Sequence, residues 1–207
     1  MAVAQKAHQT IVTLDLEGVL VPEIWIAVAE TLGIPELRRT TRDEPDYDLL
    51  MRQRLAILDE HELTMSAIEK VISTLSPLPG ALEFLNDLRE MSQVIIVSDT
   101  FEQFGRPFMR QLGMPTLFCH RLIVENDRIT DFELRQVDQK RQAVEAFRTL
   151  NYRIVAAGDS YNDTAMLAAA DAGFLFHAPD NVIKEFPQFP AITEFAELLR
   201  RIGDSLH

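Results

Sequence analysis

The sequence predicts an α/β fold: a Rossmann-like, mostly parallel sheet with a small α-helical cap inserted after the first strand. Three observations predict it. Short apolar runs ending in polar, acid-bearing turns alternate with segments of helical periodicity, which is typical of a parallel sheet. Residues 22–76, between the first two such runs, are nearly all helical in pattern. The 207 residues suffice for one sizeable core and a small appended domain.

Composition limits the partners that the chain can have. Hydrophobic residues make up 47% of the chain and charged residues 25%, which is ordinary for a globular protein. The formal net charge of -12 argues against a nucleic-acid partner, because affinity for a phosphate backbone comes mainly from lysine and arginine. No apolar run is long enough to cross a bilayer, so we expect no membrane partner either.

Cysteine usage and the first residues predict a cytoplasmic protein. The single cysteine, Cys119, cannot form an internal disulfide. Residues 1–10 lack the apolar run of a signal peptide. The cytoplasm is therefore the expected location, and the sequence leaves open whether the chain forms a homodimer.

The first predicted strand, residues 11–14, brings two carboxylates to the edge of the sheet. It is short and apolar, and Asp15, Glu17 and Gly18 follow it. Ligands bind at the carboxyl ends of parallel strands, so both acids should lie at the mouth of a crevice. Carboxylates this close repel unless a cation lies between them, and oxygen ligands suit Mg²⁺. An aspartate beside a metal can also accept a phosphoryl group covalently.

The helical stretch divides the chain into two predicted domains. Residues 1–21 and 77–207 form the α/β core, and residues 22–76 form the cap. Pro77 and Pro79 mark the return to the core, because proline interrupts a helical pattern.

Apolar spacing predicts three cap helices that pack against one another. The first covers residues 22–32 and ends at Gly33, the second covers about 46–58, and the third includes the apolar positions of 63–75. The apolar face of the first helix needs a partner, which the leucines of the other two can supply.

The rest of the core is predicted as alternating strands and helices with one hairpin. The strands are 94–100, 154–157 and 173–176. The helices are 81–91, 101–112, 139–150, 164–170 and 192–202. Residues 122–134 form a hairpin that turns at Asn126-Asp127.

Three predicted strand ends bring polar groups to the same edge of the sheet. Converging there, they would form one pocket from six side chains: Asp15, Glu17, Asp159, Asp163, Lys140 and Ser98. A Mg²⁺ ion held by the carboxylates would neutralise part of the charge of an incoming phosphate, while Lys140 and Ser98 would bind its oxygens. Without a cation and a phosphate, four carboxylates in one crevice would be electrostatically costly.

Four segments resemble the motifs of the haloacid dehalogenase superfamily of phosphotransferases. They are Asp-Leu-Glu-Gly-Val at 15–19, Ser98, Lys140, and Gly-Asp-Ser-Tyr-Asn-Asp at 158–163. They stand in the expected order and at the expected strand ends, and with the cap the resemblance covers nearly the whole chain. The fold implied is a core like that of this superfamily.

Within the superfamily the chain is similar to the phosphoserine phosphatases. Residues 20–26 and 185–190 look like the bacterial subgroup that also transfers the phosphoryl group from phosphoserine to homoserine. The resemblance implies phosphoserine and homoserine as substrates, and a place in serine or threonine biosynthesis.

The resemblance also implies roles for the strand-end residues. Asp15 would be the nucleophile that becomes an aspartyl phosphate, and Glu17 the general acid that protonates the leaving alcohol and then activates the acceptor. Asp15, Glu17 and Asp159 would hold the Mg²⁺, Glu17 through its carboxylate or its backbone carbonyl, with Asp163 supporting them. Lys140 would assist catalysis by holding the phosphate.

The substrate contacts follow from the same resemblance. The phosphate or substrate would be held by Ser98, Asp99 through its backbone, Lys140 and Asn162. In the cap, Glu23 and Arg54 match positions that read the amino acid in phosphoserine phosphatases. Their charges suit this role, with a carboxylate for the ammonium and a guanidinium fork for the carboxylate of phosphoserine.

Two positions depart from the usual family pattern. Glu17 stands where aspartate is usual, and Asp99-Thr100 stand where glycines usually follow the serine. Both changes are shared with the transferase-capable subgroup. We hypothesise that the altered pocket admits homoserine, whose hydroxyl takes the phosphoryl group in place of water.

Structural roles and other functions compete with this interpretation. Strand-end acids and Ser98 can cap turns or helices, Lys140 can be a solvated lysine, and Glu23 and Arg54 can be ordinary cap charges. A signalling receiver is the main alternative class, against which stand the cap, Glu17 and the chain length. A nucleotide-dependent kinase or oxidoreductase lacks its glycine-rich run. Another small phosphate ester stays open as substrate, because in this superfamily the cap sets specificity.

Overall fold

A seven-stranded sheet forms the centre of the computed structural model, which describes residues 9–41, 43–44 and 46–206. Its strands are β1 Thr10–Leu14, β2 Gln93–Phe101, β3 Thr116–Glu125, β4 Arg128–Glu133, β5 Arg153–Gly158, β6 Ala172–Phe176 and β7 Ala191–Ile192. They lie in the order β4-β3-β2-β1-β5-β6-β7, and all neighbours are parallel except β3 and β4. The predicted α/β class with a mostly parallel sheet is confirmed.

Helices connect these strands. They are α1 Ile24–Leu32, α2 Tyr47–Glu60, α3 Met65–Ile72, α4 Ala81–Met91, α5 Glu102–Gln111, α6 Gln139–Thr149, α7 Thr164–Ala169, α8 Asp180–Glu185 and α9 Phe195–Asp204. Within the described ranges, none is long and apolar enough to cross a membrane. Residues 1–8, to which most of the signal-peptide expectation refers, lie outside the described residues.

The two faces of the sheet are covered by different helices. Successive strand residues point to opposite faces, so Val12 and Leu14 belong to one buried cluster and Ile11 to another. The first cluster also contains side chains of α4, α5 and α9, and the second contains side chains of α6, α7 and α8. With both faces covered by apolar side chains, the polar groups of the core gather at the carboxyl edge.

The described residues between 24 and 72 contain the three predicted helices, α1, α2 and α3, and a 3₁₀ turn at Pro35–Arg38. α1 ends at Gly33 in a left-handed conformation, and the side chains of Asp46 and Thr64 each accept a backbone N–H in the first turn of α2 and α3. Buried residues of these helices join the cluster on one face of the sheet. The division of the chain into core and cap domains stays a prediction.

The hairpin of β3 and β4 turns where the sequence predicts, at Asn126 and Asp127, which both have positive φ angles of 50° and 64°. β3 begins earlier than predicted, at Thr116, because its first residues pair in parallel with β2. The turn also contacts the beginning of α3, in the cap segment (residues 22–76). The Met65 N–H donates to the Asp127 carbonyl at 2.7 Å, and the Ser66 N–H donates to the Asp127 carboxylate at 2.9 Å.

The C-terminal segment differs from the prediction. A helix is expected over residues 192–202, whereas the structure has β7 at Ala191–Ile192 and begins α9 at Phe195. Ile192 pairs with Phe176 of β6. A short apolar segment fits a strand or a helix, and pairing with the sheet edge decides between them. The sequence reasoning also missed α8.

Candidate active site

The strand ends converge as predicted. β1 lies between β2 and β5, so Asp15, Ser98 and Asp159 come to the same edge of the sheet. The Asp15 N–H donates to the Ala157 carbonyl at 3.0 Å, so the hydrogen bonds between β1 and β5 continue to Asp15. One pocket is lined by every predicted site residue except Asp163: Asp15, Glu17, Glu23, Arg54, Ser98, Asp99, Lys140, Asp159 and Asn162.

Lys140 is buried beneath this pocket in the first turn of α6, with three carboxylates around it. Its Nζ lies 3.0 Å from Asp15 Oδ2, 2.8 Å from Asp163 Oδ1 and 3.8 Å from Asp99 Oδ2. Burial alone would lower the pKa of Lys140, but these carboxylates outweigh it and hold the pKa well above the ordinary value. The side chain is therefore a fixed cation and not a solvated surface lysine.

Asp163 is fully buried behind the pocket, where it organises the turn after β5. Its Oδ2 accepts the N–H groups of Asp159 at 2.9 Å and Ser160 at 3.0 Å, while Oδ1 accepts from Lys140. Gly158 makes this possible, because a Cβ there would lie 2.3 Å from Asp163 Cγ. The sequence reasoning did not single out Gly158, although a glycine ending an apolar strand is the signal for such a close approach.

The carboxylates of Asp15, Asp159 and Asp163 form a cluster that suits a cation, with one oxygen of each within 4.8 Å of the others. Burial and the charge of Asp163 raise the pKa of Asp15 well above its usual value, partly opposed by Lys140. Gly18, with a φ of +77°, lets the chain pass Asp159, since a Cβ would lie 2.4 Å from Asp159 Oδ2. An oxygen-only cluster with excess negative charge fits a hard cation such as Mg²⁺.

The carboxylate of Glu17 is not part of this cluster, and the expectation that Glu17 binds the metal through its carboxylate or its backbone carbonyl stays a prediction. Its Oε2 accepts the Ile24 N–H at 2.9 Å, at the beginning of α1. Burial and the nearby charge of Glu23 raise the pKa of Glu17 to about 7, and the Ile24 hydrogen bond opposes them. A carboxyl group with this pKa can both donate and accept a proton near neutral pH.

Arg54 of α2 lines the same pocket and is only 6% exposed. We call the part of the pocket formed by Arg54 and Glu23 the cap end. Its Nη2 donates to the Arg39 carbonyl at 2.8 Å, and its guanidinium carbon lies 4.7 Å from the centre of the Trp25 ring. Burial lowers the pKa of Arg54 to about 10, so the side chain remains a cation at neutral pH. Glu23, directly before α1, brings a carboxylate to the same end.

Asp99 connects residues that the sequence reasoning missed. Its carbonyl accepts the Tyr47 hydroxyl from α2 at 2.7 Å, and its Oδ2 accepts Asn162 Nδ2 at 2.8 Å. Gln139 donates to the Ser98 carbonyl at 2.6 Å, and His120 Nε2 lies 3.5 Å from Asp99 Oδ1. Of these residues, only Gln139 could have been assigned to the site from the sequence, because it is adjacent to Lys140. Tyr47 and His120 are far from the motifs along the chain.

The charge of Asp99 is stabilised by these neighbours. Burial alone would raise its pKa, but Lys140 and the hydrogen bonds from His120 and Asn162 hold it well below the usual range. The carboxylate is therefore ionised at neutral pH. Its side chain, as well as its backbone, belongs to the pocket.

Solved structures share this fold. A substrate-bound phosphoserine phosphatase complex superimposes with a TM-score of 0.79 at 24% identity, covering 93% of this chain and 98% of that chain. A phospho-aspartyl intermediate analogue of a phosphoserine phosphatase has a TM-score of 0.79 at 22% identity, with coverages of 94% and 99%. At these identities the likeness concerns the fold alone.

Curated relatives and a family model match most of the chain. A phosphoserine phosphatase of Pseudomonas syringae pv. tomato is 68% identical over 189 residues, which are 91% of this chain and 80% of the relative. Phosphoserine phosphatase ThrH of Pseudomonas aeruginosa is 63% identical over 191 residues, 92% of this chain and 93% of the relative. The model of the haloacid dehalogenase-like hydrolases matches residues 9–171, which include the strand ends of the site. As its motifs indicate, the chain belongs to the haloacid dehalogenase-like hydrolases.

Proposed function

We propose that this protein is a Mg²⁺-dependent phosphoserine phosphatase that acts through an aspartyl phosphate and also transfers the phosphoryl group from phosphoserine to homoserine. The observation that carries the proposal is a single pocket with Asp15 and Lys140 at one end and Glu23 and Arg54 at the other. Relatives named phosphoserine phosphatase, one of them ThrH, support the choice of substrate.

The cation would be held by Asp15 and Asp159. Asp163 has both oxygens occupied by hydrogen bonds, which suits the supporting role assigned to it. The carboxylate of Glu17 is directed to the start of α1, so we assign its side chain to proton transfer and keep only its backbone carbonyl as a candidate ligand. When bound, Mg²⁺ would offset the charge of the carboxylates and of the substrate phosphate.

The first half of the reaction uses Asp15 and Glu17. An oxygen of Asp15 attacks phosphorus while the bond from phosphorus to the serine oxygen breaks, and Glu17 donates its proton to that oxygen. A pKa of about 7 makes Glu17 an effective donor at neutral pH. Lys140, which lies 3.0 Å from Asp15 Oδ2, binds phosphate oxygens and stabilises their negative charge.

The second half frees Asp15. The Glu17 carboxylate takes a proton from water or from the hydroxyl of homoserine, and that oxygen attacks the phosphorus of the aspartyl phosphate. The bond to Asp15 breaks and leaves inorganic phosphate or phosphohomoserine. The same base serves both acceptors, so the relative occupancy of the pocket by water and homoserine decides between hydrolysis and transfer.

The amino-acid end of the substrate would be bound by the cap segment, residues 22–76. Glu23 would pair with the ammonium and Arg54 with the carboxylate, while Ser98 and Asn162 complete the phosphate end. We place the reaction in the cytoplasm, in serine or threonine biosynthesis.

The test is to incubate the protein with phosphoserine and Mg²⁺, with and without homoserine, and to quantify free phosphate and phosphohomoserine. We expect phosphohomoserine to form at the expense of free phosphate. Free phosphate alone would refute the transfer activity and leave a phosphatase. An absence of phosphoserine turnover in both mixtures would refute the substrate assignment and move the search to other phosphate esters.

A further inference from the structure

We propose that Trp25 is a positioning residue for substrate selection: its indole face holds the Arg54 guanidinium where it receives the carboxylate of an amino-acid phosphate ester. The inference rests on the proposed function, because it concerns how the same pocket selects its substrate. By spacing alone, Trp25 is one more apolar residue of a cap helix.

The guanidinium of Arg54 is fixed by three groups. Its carbon lies 4.7 Å from the centre of the Trp25 ring, Nη2 donates to the Arg39 carbonyl at 2.8 Å, and Nη1 lies 3.5 Å from the sulfur of Met51. Arginine stacks on aromatic faces while its N–H groups stay available in the plane of the fork. The Trp25 ring thus contacts the Arg54 guanidinium without using its hydrogen-bond donors.

Trp25 also packs against aromatic side chains of the core. Its ring packs edge-on against Phe104 of α5 at 5.2 Å, and Phe104 packs in the same way against Phe101 at the end of β2. Both phenylalanines are almost completely buried. A continuous row of rings therefore connects the end of β2, next to Asp99, with the guanidinium in the cap segment.

Arg54 has one donor that remains to be satisfied. Its Nε is buried and has no hydrogen-bond partner among the described residues. A buried, incompletely paired cation costs free energy, and because Arg54 lines the pocket, the charge of an anionic ligand bound there would offset part of this cost. Asp15 and Lys140 form the end of the pocket that would bind the phosphate, which we call the phosphate end. The anionic group expected at Arg54 is therefore the carboxylate of the substrate.

The experiment compares two substrates in three forms of the protein. Phosphoserine carries the carboxylate, and O-phosphoethanolamine lacks it but keeps the ammonium and the phosphate. We expect Trp25→Leu to raise the KM for phosphoserine about tenfold, the scale of a desolvated cation–π contact, with little change in kcat or in the KM for O-phosphoethanolamine. Trp25→Phe, which keeps a ring face, should restore most of the preference for phosphoserine.

The control is Val28→Ala, which truncates another buried side chain of α1. It should lower the melting temperature without changing the ratio of kcat/KM between the two substrates. An equal loss for both substrates in Trp25→Leu would overturn the inference. Wild-type protein that does not hydrolyse phosphoserine would instead overturn the proposed function on which the inference rests.

A second measurement does not depend on the stability of a Trp25 variant. Trp25 is the only tryptophan of the chain, so all tryptophan fluorescence comes from this side chain. In an Asp15→Asn background, phosphoserine should change the emission much more than O-phosphoethanolamine at equal saturation. Equal changes with both compounds would contradict the assigned contact between Arg54 and the carboxylate.

Discussion

The two ends of the pocket are built differently. At the phosphate end, Lys140 lies within 3.0 Å of two carboxylates, and the oxygens of Asp163 are fully used by nearby donors. At the cap end, Arg54 keeps a buried Nε without a partner, and Glu17 keeps a raised pKa of about 7. Lys140 and Asp163 thus have their partners within the protein, whereas Arg54 at the cap end lacks a partner for Nε among the described residues.

From this difference we infer that the cap end selects between substrates in the proposed reaction. The phosphate end stands on strand ends whose positions are fixed by the hydrogen bonds of β2, β1 and β5. At the cap end, Arg54 of α2 stacks on Trp25 of α1 and donates a hydrogen bond to the carbonyl of Arg39. A rigid end suits the phosphate that all substrates of such a site share, and an unsatisfied end can discriminate between the groups attached to it.

The largest effect is expected from replacing Asp15, the proposed nucleophile. Asp15→Asn should lower phosphoserine turnover by more than about 10⁴-fold, because the amide does not form the aspartyl phosphate. Binding should survive, since Arg54 and Lys140 remain. Phosphate release and equilibrium binding of phosphoserine measure the two effects. The matched control is Asp87→Asn at an exposed position of α4, and activity comparable to this control would refute the role.

Replacing Lys140 tests whether its positive charge stabilises the buried carboxylates of Asp15 and Asp163. Lys140→Met should lower the free energy of unfolding by about 3–5 kcal/mol, because Asp15 and Asp163 stay buried without their cation. Urea denaturation in metal-free buffer measures it. Lys70→Met, on an exposed position of α3, should stay within about 0.5 kcal/mol of wild type. A similar loss in both variants would contradict this stabilisation.

Glu17→Gln tests the proton-transfer role at the cap end. Turnover should fall by about 10²–10⁴-fold, because the amide neither protonates the leaving alcohol nor activates the acceptor. Phosphoserine binding should remain measurable by calorimetry. Glu83→Gln, an exposed glutamate of α4, is the matched control. Full activity of Glu17→Gln would exclude Glu17 as the acid and base.

A comparison of wild type with Glu17→Gln also tests how the free energy of unfolding depends on pH. The folded protein holds a proton on Glu17 up to a pKa of about 7, whereas the unfolded chain releases it near 4.5. Unfolding therefore releases a proton between these values, and stability falls as pH rises from 4.5 to 7. In metal-free buffer, wild type should lose up to about 3 kcal/mol relative to Glu17→Gln over this window. A constant difference would contradict the raised pKa.

The smallest expected effect concerns the contact between the hairpin turn and α3. Asp127 accepts the Ser66 N–H and hydroxyl at 2.9 and 2.6 Å, and α3 packs on α1, which carries Trp25. Asp127→Ala should raise the KM for phosphoserine slightly and leave kcat unchanged, because it loosens only the cap end. Asp127→Asn keeps an acceptor and should behave like wild type. A fall in kcat would show that the turn also supports the phosphate end.

The sequence by itself predicted the α/β core and the convergence of the strand-end side chains. Apolar runs that end in acids predict the strands, and β1, β2 and β5 then place Asp15, Ser98 and Asp159 together because parallel strands share one carboxyl edge. Lys140 could be assigned from the motif order, and Asn126-Asp127 from turn chemistry. These features depend on local periodicity or on a general rule of parallel sheets.

The tertiary structure alone decided the contacts between distant segments. The stacking of Arg54 on Trp25, the hydrogen bond from Tyr47 to Asp99 and the position of His120 join residues that no local pattern connects. The hydrogen bond from the Ile24 N–H to the Glu17 carboxylate is a further contact of this kind. Side-chain partners depend on which surfaces pack together, and the free energy of packing is not encoded in the spacing of residue types along the chain.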